Sequence, residues 1–421
     1  MIYKDTLPNG IRVITEELPF VHSVSMGIWV GTGSRYEDKK IHGISHFLEH
    51  MLFKGTEKRN AKQIAETLEA VGGQINAFTS KEFTCFYARV LSEHFGLAAD
   101  VLTDMFLHSL FKEDETEKEK NVILEEIKMY EDTPDDLVHD VFSRTIWQDN
   151  SLGQSIIGTA ETVQSLNREQ LLDYYKVNYV PQNMVVAVAG KITRNQVVDT
   201  IGTLFDRFGG SPNPVNLLAP QISGGTNYVS KDIEQVHLCL GNPGLSNQDS
   251  NIYALLVLNS VLGGGVSSRL FQKVREEKGL TYSIYSYHSG YTDTGLFGIY
   301  AGTGPNSVNS VIAIILEQIK DIKKHGVTEE ELSRTKQQIK GNILLGLENV
   351  SSRMNRLGKS EISFGRIITP EEVIESVINV TNESVIEIAR QIFQIDKFSL
   401  AVIGPGKLNI DFPLMLEKAG I

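Results

Sequence analysis

A chain of 421 residues, 41% hydrophobic and 22% charged, has ordinary globular composition and exceeds what one core usually supports, so two or more domains are expected. Its net charge of -12 argues against nucleic acid as the main partner, because a phosphate-binding surface needs clustered Lys and Arg. No apolar run approaches the roughly 20 residues that span a bilayer, Met1 to Asp5 has no basic segment leading into an apolar one, and the two cysteines, Cys85 and Cys239, form neither a disulfide framework nor a metal-type spacing; a soluble cytoplasmic protein is expected. Residues 10–15 and 23–30 then read as strands, and 43–53 and 60–71 as helices, the second stopped by Gly72-Gly73. Residues 74–90 read as strand, turn, strand, and 92–107 and 114–131 as helices. A buried strand at 183–189 and a helix at 194–205 complete the first half.

Residues 209–224 are rich in Gly, Pro and Asn with little periodicity and read as a linker. Beyond it the order recurs: strand 236–240, helices 250–262 and 267–278, strands 282–288 and 295–301, helices 307–324 and 329–345, and strand 398–403. This element order predicts an internal duplication of an α+β unit: a first domain over 1–208, a linker over 209–224 and a second domain over 225–421.

The segment His46-Phe47-Leu48-Glu49-His50 stands out chemically. Positions i and i+4 of a helix share a face, so His46 and His50 project together, as two imidazoles must to grip one ion. Glu49 sits beside them, where a carboxylate can take a proton from an activated water. Ile44, Phe47, Leu48, Met51, Leu52 and Phe53 make the helix apolar nearly all round; it is expected to be buried, where two His and a Glu need partners that a metal supplies. Zinc at a catalytic site takes three protein ligands and a water. The third is sought on the helix through Val122-Ile123-Leu124-Glu125-Glu126-Ile127, where Glu119 and Glu126 lie seven apart on one side. Spacing alone does not choose between Glu125 and Glu126.

The stretch HFLEHMLFKGT at 46–56 resembles the signature of the pitrilysin or insulinase family of peptidases, nearest to the branch that holds the mitochondrial processing peptidase and its bacterial relatives. QINAFT at 74–79, LGQSIIGT at 152–159 and GGGVSSRLF at 263–271, followed by Arg275, Gly279-Leu280 and Tyr282, extend the resemblance over essentially the whole chain. It implies two homologous domains, each a mostly antiparallel sheet packed with helices, forming a clamshell around a chamber; only the first carries the metal motif. The family's third ligand follows the second His by the 76 positions that separate Glu126 from His50. So the resemblance implies one zinc per chain on His46, His50 and Glu126, with Glu119 supporting the ligands and Glu49 as general base.

The resemblance further implies a zinc endopeptidase acting on extended peptides or unfolded polypeptides. Substrate would add to the edge strand at Asn76, Ala77 and Phe78. Phe53 would line the pocket past the scissile bond, Tyr282 would donate to the oxyanion, and Arg275 would bind a substrate carbonyl or carboxylate. Asp136 and Asp140 match acidic positions that would favour basic residues near the cut. Chains of this length in the family work in pairs, so a dimer is expected, a homodimer first and a pair with a homologous partner as the alternative.

Overall fold

The computed structural model describes residues 1–211, 217, 220–222 and 224–420. Half of the expected linker, including Pro212 to Asn216, lies outside the described residues. The chain divides into two compact units. One comprises Met1–Lys128, Ser155–Leu217 and Leu344–Ile368; the other comprises Met129–Gln154, Leu218–Ile343 and Thr369–Ile421.

The first unit is built on six strands: β1 (Ile2–Thr6), β2 (Arg12–Glu17), β3 (Ser23–Val30), β4 (Gln74–Thr79), β5 (Thr84–Leu91) and β6 (Met184–Gly190). Their order is β1-β2-β6-β3-β5-β4, with β2 and β6 parallel and every other pair antiparallel. Side chains alternate across a strand. Val24, Met26, Ile28 and Val30 of β3, with Met184, Val186 and Val188 of β6, enter the core beneath α1 (Ile44–Leu52), α2 (Ala61–Glu69) and α3 (Phe95–His108). The fourth helix, α4 (Glu113–Glu131), adds Ile123 and Ile127 to this core.

The opposite face of the same strands presents Trp29, Cys85, Val185 and Ala187, and these pack on Val350, Met354 and Leu357 of the helix Val350–Phe364. A Cβ at Gly358 would overlap the Trp29 indole, so glycine permits the close approach of helix to sheet. Salt bridges from Arg353 to Glu16 (2.5 Å), Arg12 to Glu361 (3.2 Å) and Lys4 to Glu361 (2.8 Å) fix the helix along β1 and β2.

The second unit repeats the plan. β7 (Gly225–Ser230), β8 (Val236–Gly244), β9 (Thr281–Gly290), β10 (Gly295–Thr303) and β11 (Ser399–Gly404) form a sheet of order β7-β11-β8-β10-β9, with β7 and β11 parallel and the rest antiparallel. This is the order β2-β6-β3-β5-β4 over again, so the duplication expected from element order is present in the strand topology. Helices Ile252–Gly263, Val308–His325 and Asn382–Ile392 cover one face. The other is covered by α5 (Pro134–Trp147), whose Val138, Val141, Phe142 and Ile146 meet Cys239, Leu296, Tyr300, Ala401 and Ile403. Each sheet thus carries a helix from the opposite half of the sequence, which a single cut at the linker does not describe. Residues 267–278, expected as one helix, instead hold a turn of π-helix at Phe271–Glu276.

Candidate metal and peptidase site

The site is assembled within the first unit by α1, α4 and β4. α1 is short and buried: Ile44, Phe47, Leu48, Met51 and Leu52 are fully enclosed, which leaves His46, Glu49 and His50 along its open side. The two imidazole rings stand 4.5 Å apart at their centroids. His46 Nε2 lies 3.6 Å from Glu126 Oε1, and His50 Nε2 lies 3.6 Å from Glu126 Oε2. One ligand atom from each of the three falls within 4.8 Å of the other two. Glu125, one residue away, points outward to an exposed ion pair with Lys128 at 2.7 Å. The helix that brings Glu126 to the two histidines therefore turns Glu125 out.

Second contacts fix these groups. His50 Nδ1 donates to Glu119 Oε1 at 2.8 Å, and its Nε2 faces Glu126. Glu119 is buried, and Lys54 Nζ neutralises its other oxygen at 2.6 Å. Its carboxyl is held below the usual range by the hydrogen bonds from His50 and Lys54, against the opposing and largest effect of burial. Burial, and then the neighbouring His50, push the His46 imidazole down to about 3, so it is neutral. Imidazole nitrogens and a carboxylate are the donor set zinc accepts, and their convergence fits one ion.

Glu49 projects from the same helix. Its carboxyl is pushed up by burial, and the Thr79 hydroxyl, donating to Oε2 at 2.6 Å, opposes that rise. Glu49, His50, Phe53, Lys54, Asn76 and Glu119 line a cleft of about 260 Å³. β4 is the edge strand of its sheet. The Ala77 N–H donates to the Asn76 side chain at 2.8 Å, so this edge donor has a local acceptor.

The expected substrate residues separate in their surroundings. Asn76 and Phe53 line the cleft, Phe53 also lying 6.5 Å from Phe86. Ala77 packs on the core, and the Phe78 ring is turned to the far face, among Trp29, Phe83 and Tyr87. The Phe78 ring is therefore turned away from the cleft.

Arg275, Tyr282, Asp136 and Asp140 belong to the second unit. The Arg275 guanidinium lies 4.7 Å from the Phe271 ring centroid and 4.7 Å from that of Tyr282, so the pair read as seven apart in sequence is brought into stacking contact. Tyr282 is 79% exposed on the edge strand β9. Asp136 and Asp140 lie on α5, and Tyr130 donates to the Asp136 carbonyl at 3.2 Å. Sequence reasoning did not single out Thr79 or Lys54. Both had a signal: Lys54 stands one helical turn beyond His50, and Thr79 ends the strand that carries Asn76.

Residues 12–160 match the family described as insulinase (peptidase family M16), and residues 165–339 match the one described as peptidase M16 inactive domain. The chain is 48% identical over 405 residues to an uncharacterized zinc protease, YmxG, of Bacillus subtilis, covering 96% of this chain and 98% of that one. It is 43% identical over 414 residues to an uncharacterized zinc protease, SCO5738, of Streptomyces coelicolor, covering 96% and 90%. Among solved structures, a peptidase M16 inactive domain from Pseudomonas fluorescens superposes with a TM-score of 0.90 at 20% identity, over 97% of this chain and 99% of that one. A protease from Helicobacter pylori gives 0.89 at 22% identity, over 96% and 99%; both likenesses bear on the fold alone.

Proposed function

The chain belongs to the insulinase family of peptidases and is a zinc metalloprotease; from that premise we propose that it is an endopeptidase whose metal is held by His46, His50 and Glu126, one ion per chain, acting on extended peptides or unfolded polypeptides in an enclosed chamber. The observation that carries this reading is the convergence of two imidazole nitrogens and a carboxylate within 4.8 Å, with Glu49 one residue from a ligand and held by Thr79. Zinc bound there supplies Lewis acidity, polarising the scissile carbonyl and acidifying the attacking water. Glu49 takes the proton from that water and passes it to the leaving amine; its burial favours the protonated state it must reach in between. Glu119 and Lys54 hold the His50 ring in one tautomer.

An extended substrate adds to the free edge of β4 at Asn76, Ala77 and Phe78. To pair there it must take over the Ala77 N–H from the Asn76 side chain. Phe53, at the cleft wall, favours an apolar residue just past the scissile bond. Tyr282 and Arg275 are proposed as oxyanion and substrate-carbonyl donors, supported by the exposure of the phenol and its stacking on the guanidinium. Asp136 and Asp140 are proposed to favour basic residues near the cut, and two copies of the chain to form the working dimer. Among the described residues no helix is long and apolar enough to cross a membrane, and a cytoplasmic location is part of the proposal.

The test is cleavage of a peptide mixture read by mass spectrometry, with metal-free, zinc-restored and Glu49→Gln protein. Hydrolysis only by the zinc-restored parent is expected. Hydrolysis by Glu49→Gln at the parental rate overturns the assignment of the base, and cleavage sites indifferent to Arg and Lys overturn the role of Asp136 and Asp140.

A further inference from the structure

The catalytic helix begins without a cap of its own. The residue before Ile44 is Gly43, in a left-handed conformation at φ 94°, and no side chain at that position can accept from the first turn. Those donors are served from elsewhere. Glu37 lies in the loop between two short 3-10 turns, and its side chain is fully buried. Glu37 Oε2 accepts from the Gly43 N–H at 2.7 Å, and Oε1 accepts from the Ser45 N–H at 2.8 Å. His42 Nε2 lies 2.6 Å from the Ser155 carbonyl, and His42 Nδ1 lies 3.0 Å from Glu37 Oε2. The Ser45 hydroxyl meets Tyr174 at 3.0 Å, and Tyr174 meets Thr32 at 3.0 Å.

We propose that Glu37 is a positioning residue for the metal site: it caps the catalytic helix at a distance and so sets the placement of His46. The cap falls on Ser45, the residue immediately before His46. Helix ends fray first, because their leading N–H groups have no partner within the helix, and His46 is only the third residue of α1. A ligand in the first turn inherits whatever disorder that turn has. A carboxylate suits this task better than a hydroxyl. It accepts both N–H groups at once, its bonds are charge-assisted, and its charge lies at the positive end of the helix. His42 then ties Glu37 to the segment at Ser155. Gly43 and Gly158 complete the join, since a Cβ on Gly43 would stand 2.9 Å from the Gly158 Cα. The inference rests on His46 being a ligand.

The test compares Glu37→Gln and His46→Ala with the parent. Glu37→Gln keeps the volume and one acceptor oxygen, but loses the second acceptor and the charge. The readouts are zinc affinity of the metal-free protein, by competition with a chromogenic chelator, and kcat and KM on a fluorogenic peptide at saturating zinc. Expected for Glu37→Gln is a roughly 10- to 100-fold loss of zinc affinity, the range seen when partners of metal ligands are removed, with kcat lowered and KM little changed. A folded Glu37→Gln protein within twofold of the parent in zinc affinity and kcat overturns the proposal. Should His46→Ala bind zinc as the parent does, the ligand assignment itself fails, and the role of Glu37 with it; loss in His46→Ala without loss in Glu37→Gln refutes the Glu37 role alone. Amide hydrogen exchange of the metal-free parent is independent of any variant: the Gly43 and Ser45 amides are expected to be protected, and rapid exchange at both overturns the cap.

Discussion

Replacing Thr79 by Val separates the orientation of the general base from the binding of the metal. Val keeps the β-branched shape and the strand preference of Thr, so β4 and its pairing with β5 through Thr79 and Thr84 should persist. What is lost is the 2.6 Å hydrogen bond to Glu49 Oε2. A hydrogen bond to a charged group contributes about 1.5–3 kcal/mol, and each 1.36 kcal/mol in the barrier is tenfold in rate. If the carboxylate must be held in one rotamer to receive the proton, kcat should fall about 10- to 100-fold. Glu49 is not a ligand in this arrangement, so zinc affinity of the metal-free protein should stay within about twofold. Steady-state kinetics on a fluorogenic peptide and a chelator competition titration give the two numbers. Thr79→Ser, which restores the donor, should recover most of the rate. A Thr79→Val protein with parental kcat would refute the role, and one that loses zinc affinity in proportion to kcat would show that Thr79 supports the ligands instead.

Glu119→Gln should weaken zinc binding roughly 10- to 100-fold by freeing the His50 ring, and Glu126→Gln should weaken it further, since a ligand charge is lost; both are read by titration of the metal-free protein. Met354→Ala should destabilise the protein by roughly 2–5 kcal/mol in denaturant unfolding at fixed zinc, because Met354 is fully buried against the Trp29 face and leaves a cavity. Arg269→Met removes bonds to Glu331 at 2.7 Å, Asp321 at 2.8 Å and the Gly326 carbonyl at 3.1 Å. The arginine is mostly enclosed while Asp321 is half exposed, so a cost of roughly 2–3 kcal/mol is expected by the same unfolding assay.

The parts of the site legible in the sequence are those set by local periodicity. His46 and His50 lie on one face because any helix places i and i+4 together, and the apolar residues between them announced its burial. The choice of Glu126 over Glu125 is different in kind. Adjacent residues on a helix differ by about 100° in direction, so both cannot point straight at α1, and which one does depends on where α4 packs. Thr79 shows the same limit: its strand was legible, while its bond to Glu49 exists only because α1 crosses the end of β4. Glu37 had no local signal, since its partners His42, Gly43 and Ser45 lie five to eight residues on, across a loop. In the second half, residues 267–278 carry a helical pattern, yet the Glu277 N–H bonds to the Gln272 carbonyl, five residues back. That wider turn sets Arg275 against Tyr282, and a periodicity argument built on 3.6 residues per turn does not foresee it.

The exchange of helices between halves has a physical cause that composition alone could have raised. A sheet with two apolar faces needs cover on both. In each half the consecutive helices cover one face, and the strands still turn a second apolar row outward: Trp29, Cys85, Val185 and Ala187 in one, Cys239, Tyr300, Ala401 and Ile403 in the other. The stripe Val138, Val141, Phe142 and Ile146, at i, i+3, i+4 and i+8, is the helical pattern that supplies such cover. Nothing in the stripe says which sheet it serves, because hydrophobic packing is non-directional. What distinguishes the two covering helices is polar. Arg353 meets Glu16, and Glu361 meets Lys4 and Arg12, on strands that have charged residues at those places. On α5, His139 donates or accepts at the Tyr285 and Tyr287 hydroxyls, 3.0 and 2.9 Å away. Apolar burial drives each helix onto a sheet face, and these polar contacts add partners particular to the face it takes. The boundary between the units therefore follows complementary side chains, and a break in composition at the linker marks only where the strand order starts again.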